Sequence, residues 1–156
     1  MAYQGRSTGV GLSSIIRKVE QDLDEVPKVF LKKMAEHIVN ASPVWSGEYV
    51  LNHTVEDRSA GGQFTGNLQG WSVKERRPAD PYKAQSLANL TTAIDALSTG
   101  FTNVAFSNRS PHAMVVEYGN SKFNVNPARD GHFVYSSARA EASRFLAEAI
   151  SEVKNR

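Results

Sequence analysis

The chain contains no cysteine among its 156 residues, which excludes disulfides, thiolate zinc sites, iron–sulfur clusters and cysteine nucleophiles in one step. It has no run of 18 apolar residues, and Met1 to Arg6 lack the apolar block of a secretory leader. Neither a membrane span nor export is therefore expected, and the cytosol is the expected compartment. There is no surplus of charge either: 18 Lys and Arg stand against 16 Asp and Glu. The balance is local, with six against five over residues 1–40, five of each over 41–83, three of each over 84–131 and four against three in the remainder. A nucleic-acid reader concentrates Lys and Arg on one face, and no basic block of that kind is present.

Signatures of chemistry are equally sparse. His37, His53, His112 and His132 do not fall at His-x-x-x-His or His-x-His spacing, so no metal centre is expected. Gly61 to Gly66 is glycine-rich but lacks both the dinucleotide fingerprint and the Gly-Lys-Ser/Thr ending of a phosphate loop. No Gly-x-Ser-x-Gly elbow occurs. Asp22, Asp24 and Glu25 lie beside Lys18 and Lys28 and read as a solvated, ion-paired helix face. His37 is expected on a helix surface.

A chain of this length buries roughly 68 to 70% of the surface its unfolded form exposes, enough for one core. Residues 1–11, rich in Gly and Ser and carrying Tyr3 and Arg6, read as a flexible arm, and residues 12–156 as one domain. Leu12, Ile16, Val19, Leu23, Val26, Phe30, Met34 and Ile38 recur in steps of four and three, a helical stripe. Pro27 interrupts it at a cost of about 3 kcal/mol inside a continuous helix. The expectation is a kinked helix, or two in near-continuity with Asp24 as the second cap, ending near Ala41.

Ser42-Pro43-Val44-Trp45-Ser46-Gly47-Glu48-Tyr49 then forms a corner, because Pro43 drives Ser42 out of the helical region and Gly47 tolerates angles other residues resist. Strands are expected over Glu48 to Asp57, Trp71 to Arg76 and Phe101 to Phe106. The first two are separated by a Gly-rich loop from Arg58 to Gly70. Pro78 and Pro81 end the second strand. A helix is expected from Lys83 to Ser98, terminated by Gly100. His112 to Tyr118 fits a strand or a short helix, Gly119 to Gly131 a long loop, and Ala138 to Val153 an amphipathic C-terminal helix. The fold class is α+β: a long N-terminal helix, a small mainly antiparallel sheet, and middle and C-terminal helices packed on it.

Two segments resemble motifs of one family. Ser42-Pro43-Val44-x-Ser46-Gly47 is similar to the Ser-Pro-Val-Asp-Thr-Gly motif of small neck or minor tail-component proteins of long-tailed bacteriophages. His112-Ala113-Met114-Val115-Val116-Glu117-Tyr118-Gly119 resembles the family's later Tyr-Ala-x-x-x-Glu-Tyr/Phe-Gly motif. Order, spacing and flanking elements agree over about residues 12 to 155. Trp45, Ser46 and His112 stand where the family usually has Asp, Thr and Tyr, and Gly131-His132-Phe133-Val134 stands where Pro-x-Phe-Leu is common.

The resemblance implies a virion structural protein at the head–tail junction, acting in neck formation or tail completion as a ring, six copies being the usual number. DNA would pass through the ring without sequence-specific binding. It implies no catalysis, no cofactor and no membrane; the partners are identical subunits and other head–tail connector and tail proteins, with assembly in the host cytoplasm. A tail terminator capping the tube is the nearest alternative, and a small hydrolase using His53, His112 and nearby acids the competing class. As subunit or ring contacts the reading singles out Tyr3 and Arg6 in the arm, Trp45 and Tyr49 at the corner, and Arg58 and Phe64 at the Gly-rich loop. Glu117, Tyr118, Lys122 and Phe123 complete the set at the second motif and the loop after it. Two alternatives stay open at the motifs: Trp45 and Tyr49 as core residues, and Glu117 as the cap of a backbone turn with Tyr118 in the core.

Overall fold

The computed structural model describes residues 12–44, 47–58, 78–101, 103–119 and 130–156. The elements are α1 (Leu12–Ala41), α2 (Glu48–Leu51), β1 (His53–Asp57), α3 (Ala79–Asp95), β2 (Val104–Asn108), α4 (Ala113–Tyr118), α5 (Val134–Ala140) and α6 (Ala142–Lys154). The α+β class and the long N-terminal helix are as expected. β1 and β2 form a two-stranded antiparallel sheet, with His53 opposite Asn108 and Asp57 opposite Val104. The expected strand over Trp71 to Arg76 lies outside the described residues, as do most of the Gly-rich loop and positions 120–129 of the later one.

The C-terminal half of α1 is the spine of the core. Leu31, Ala35 and Val39 pack with Val50, Leu51, Val55, Leu90 and Ile94 from α2, β1 and α3. One step round the helix, Ile38 meets Tyr49, Val134 and Ala138, and Val29 meets Ala149 and Val153 of α6. Full burial of a side chain such as Ile38 or Ile94 stabilises by about 1.5–3 kcal/mol. Ion pairs Lys32–Asp95 (2.7 Å) and Lys33–Glu152 (3.2 Å) fasten the rims of α1 to α3 and α6. Being exposed and screened by solvent, these pairs position the rims more than they stabilise them.

α1 runs unbroken through Pro27, so the helix is not split and Asp24 is not a cap. Proline removes the rung to the Leu23 carbonyl, and Leu23 is largely exposed, which lets water take that acceptor. Of the acids beside Lys18 and Lys28, Asp22 pairs with Lys18 at 3.9 Å, while Lys28 instead donates to the backbone oxygen of Asp95.

The corner leads first into a helical turn, not a strand. Tyr49, Val50 and Leu51 are all buried, not alternating as on a strand with one solvent face, and the turn is closed by the Leu51 N–H on the Gly47 oxygen at 3.0 Å and the Asn52 N–H on the Tyr49 oxygen at 3.2 Å. Gly47, at φ 90°, starts the turn, and a Cβ there would approach Tyr82 Cδ1 to 2.8 Å. α3 begins at Ala79, four residues earlier than expected, since Pro78 precedes the helix and Pro81 sits in its first turn, where no donor is needed. It ends at Asp95, and Gly100, at φ 77°, follows after a further turn.

β2 is shifted to Val104–Asn108 because Asn108 closes the ladder opposite His53. The segment after His112 resolves as helix, Ala113–Tyr118, and the C-terminal helix as two, jointed at Glu141. His37 is half-buried between the Ser137 hydroxyl (3.0 Å) and the tilted ring of Phe145, not free on the helix surface.

Candidate functional site

The two motif segments meet in space. At the end of α1, buried Ser42 faces His53, the first residue of β1: Oγ and Nε2 are 2.7 Å apart. The other ring nitrogen, Nδ1, lies 2.7 Å from the Tyr135 hydroxyl on α5. The Tyr135 backbone N–H then donates to Glu117 Oε2 at 3.0 Å. A continuous polar chain thus joins the corner at Ser42 to the Glu-Tyr-Gly segment 75 residues later.

The protons in this chain can be assigned from its partners. Ser42 Oγ is 2.6 Å from the Ile38 carbonyl, which can only accept, so the single Ser42 proton points there. Nε2 of His53 must therefore carry the hydrogen shared with Ser42. The Asn108 amide agrees from the other side. Its Oδ1 accepts from the Ser110 N–H at 2.8 Å, which turns Nδ2 toward the Tyr49 carbonyl (2.7 Å) and His53 Nδ1 (3.1 Å). Nδ1 is thus an acceptor, and the imidazole is neutral with its proton on Nε2. Burial, which penalises the charged ring, lowers the His53 pKa from 6.5 to about 3.

Glu117 is buried and supplies the N-terminal cap of α5 from a distance in sequence. Its carboxylate accepts from the backbone N–H groups of Tyr135 and Ser136 (3.0 and 2.9 Å) and from the Ser136 hydroxyl (2.6 Å). It takes up helix donors that would otherwise be orphaned, and its charge suits the positive end of the helix. Two backbone bonds, His132 N–H to the Val116 oxygen at 2.7 Å and Phe133 N–H to the Glu117 oxygen at 3.1 Å, press the incoming chain onto α4. Gly131 makes this approach possible, since a Cβ there would collide with the Glu117 carbonyl oxygen.

Of the residues singled out from sequence, the Tyr49 ring is core, edge-on to His53 at 5.0 Å between centroids. Its hydroxyl is buried and has no hydrogen-bond partner among the described residues, and burial together with the Glu117 charge raises its pKa. Arg58 is exposed and extends the strand ladder through its N–H to the Asn103 oxygen at 2.7 Å. Glu117 is the cap just described, while Tyr118 lies on the surface, not in the core. Tyr3, Arg6, Trp45, Phe64, Lys122 and Phe123 lie outside the described residues. Tyr135 and Asn108 escaped sequence reasoning, and no local pattern marks either.

Chemically, this arrangement is a lock rather than a nucleophile–base pair. A hydrolytic serine needs an unprotonated nitrogen facing its hydroxyl, and here Nε2 presents a hydrogen. Ser42 and His53 are also both buried, out of reach of a substrate. Among the described residues, no group of three His, Asp or Glu side chains is placed to hold a metal ion. Beside the lock, a groove of about 260 Å³ runs between α4 and α5, walled by Phe106, Met114, Tyr118, Tyr135 and Arg139. Comparison with protein-family models, curated proteins and solved structures finds no match to the chain.

Proposed function

We propose that this chain is a structural protein of a long-tailed bacteriophage virion. In this reading it is a neck or tail-completion component that forms a ring of identical subunits, six being the expected number, at the head–tail junction around the DNA channel. The observation that carries the reading is the ordered pair of motifs at Ser42 to Gly47 and His112 to Gly119, with the flanking helices the family shares. The role of the motif residues supports it: Ser42, Gly47 and Glu117 hold backbone and helix ends, as expected of a family defined by architecture and not by catalysis. The balanced charge suits a subunit whose main contacts are complementary edges of its own kind, with DNA passing unread. A tail terminator capping the tube shares every one of these features and remains the nearest alternative within the class.

Mass photometry and negative-stain electron microscopy of the purified chain test the proposal. Discrete particles of several subunits around a central opening are expected, alone or on addition of head or tail components. A chain that stays monomeric under all of these conditions overturns it.

A further inference from the structure

The seven residues of α5 close over His53, and they are lightly held. α1 and β2 reach the imidazole through Ser42 and Asn108, and both elements belong to the spine and ladder of the fold. α5 reaches it through Tyr135, and its buried residues are Val134 and Ala138, packed with Ile38 and Tyr49. Its entry is strained: Phe133, at φ 49° and ψ 41°, is the only non-glycine residue with positive φ among the described residues, and it stands half exposed. Its exit is jointed at Glu141, and α6 holds to α1 separately through Ala149 and Val153 packed with Val29. α5 can therefore leave without taking the next helix with it.

The bonds around the imidazole leave no place for a second proton. Nε2 gives its hydrogen to Ser42, whose own is committed to the Ile38 carbonyl. Nδ1 receives the Tyr135 hydroxyl and the Asn108 amide. A hydrogen on Nδ1 could turn the Tyr135 bond around, but the Asn108 NH2 cannot accept, and Ser110 holds the amide oxygen away. Nor do the neighbours offer a free countercharge. Tyr49 of α2 and Tyr135 of α5 are the titratable side chains in ring contact, and α3 packs on β1 through apolar Leu90 and Ile94 beside Val55. The chain of bonds reaches a carboxylate only at Glu117 of α4, whose two oxygens are taken by the start of α5.

We infer that a proton on His53 unlatches α5: Val134–Ala140 moves off the imidazole, which turns its Nδ1 edge to water, while α1, α3 and the sheet keep their packing. Opening bares the apolar faces of Ile38 and Tyr49 that Val134 and Ala138 cover. The fold thus carries an acid-operated latch where the two motif segments join, and this holds whether or not the chain forms a ring. With α5 closed, burial keeps the imidazole neutral down to about pH 3, whereas with α5 open it takes a proton near pH 6.5. Opening is therefore unaffected above pH 6.5 and becomes about tenfold easier for each pH unit below it.

Hydrogen exchange of the full chain, read by mass spectrometry from pH 7 to pH 4 and corrected for the intrinsic rate, tests this. The opening constant of the α5 amides should rise about tenfold per pH unit below 6.5, while those of α1 between Leu31 and Val39 stay level until the whole chain unfolds. In His53→Gln the α5 value should start higher and stay flat. Tyr135→Phe, which weakens the latch but keeps the imidazole, should raise it by one factor at every pH and retain the slope. If α5 shows no slope in wild type, or opens only together with α1, there is no latch. A slope that survives in His53→Gln belongs to Glu117 or His37, which also bond α5, and overturns the inference as well. Should His53→Gln not fold, His37→Gln and Glu117→Gln must each retain the slope, and its loss in either is the overturning result.

Discussion

Ser42 and His53 face each other across 2.7 Å in a region where neither reaches solvent, and the proton between them belongs to the imidazole. That assignment makes His53 a fixed donor on one side and a fixed acceptor on the other, joining α1, both strands and α5. It also makes the ring sensitive to acid in a predictable direction.

His53 is neutral in the folded chain down to about pH 3, whereas in the unfolded chain it takes a proton near pH 6.5. Its contribution is whole above pH 6.5 and is lost as pH falls from there toward 3, by about 1.4 kcal/mol per pH unit. His53→Gln should cost about 1–3 kcal/mol at pH 7 and show a shallower decline over that window. Urea midpoints of both proteins from pH 7 to pH 4 measure the difference, and parallel slopes would refute the assignment.

Two tyrosines should respond in opposite ways to loss of their hydroxyls. Tyr49 Oη is buried with no partner among the described residues, so Tyr49→Phe should leave stability unchanged or raise it by up to about 1 kcal/mol. Tyr135→Phe removes a donor to His53 Nδ1 and should cost about 1–2 kcal/mol. Thermal and urea denaturation of the pair decide it.

Glu117→Gln preserves shape but turns an NH2 group toward a backbone donor of α5. A loss of about 2–3 kcal/mol is expected, with the near-ultraviolet signal of Tyr135 altered before global unfolding. Equal stability of the variant would mean that the carboxylate is not the cap.

Gly131→Ala drives a methyl group into the Glu117 carbonyl and should cost more than about 2 kcal/mol or displace the segment entering α5. Gly100→Ala meets nothing within 4 Å and bears only the strain of φ 77°, about 1 kcal/mol. The ratio of the two separates steric from conformational cost.

How far the chain could be read depended on how far each signal reached. The α1 stripe spans eight apolar positions, so its periodicity outweighed the proline in it. The turn at Glu48 to Leu51 has no room for a period, and its β-branched and aromatic residues suggest a strand until their joint burial is known. Proline was misread at position 81 for a related reason, since a helix's first turn needs no donor and tolerates the residue that usually stops it. The lock lay beyond reach because its bonds span long separations: Tyr135 is 82 residues from His53, and nothing near Tyr135 announces the partner. Glu117 was legible as a candidate cap, but the helix it caps was not.

Pro27 sits where α1 passes from its free half into the core, and the rung it deletes is the one to Leu23. The helix therefore carries a built-in break in cooperativity at the fold's edge. Amides before Leu23 can exchange by fraying of one end, while those after Val29 exchange only when the core itself opens. Covering the free half should slow the first group alone, which turns a single proline into an internal reference against which occupancy of that surface can be read.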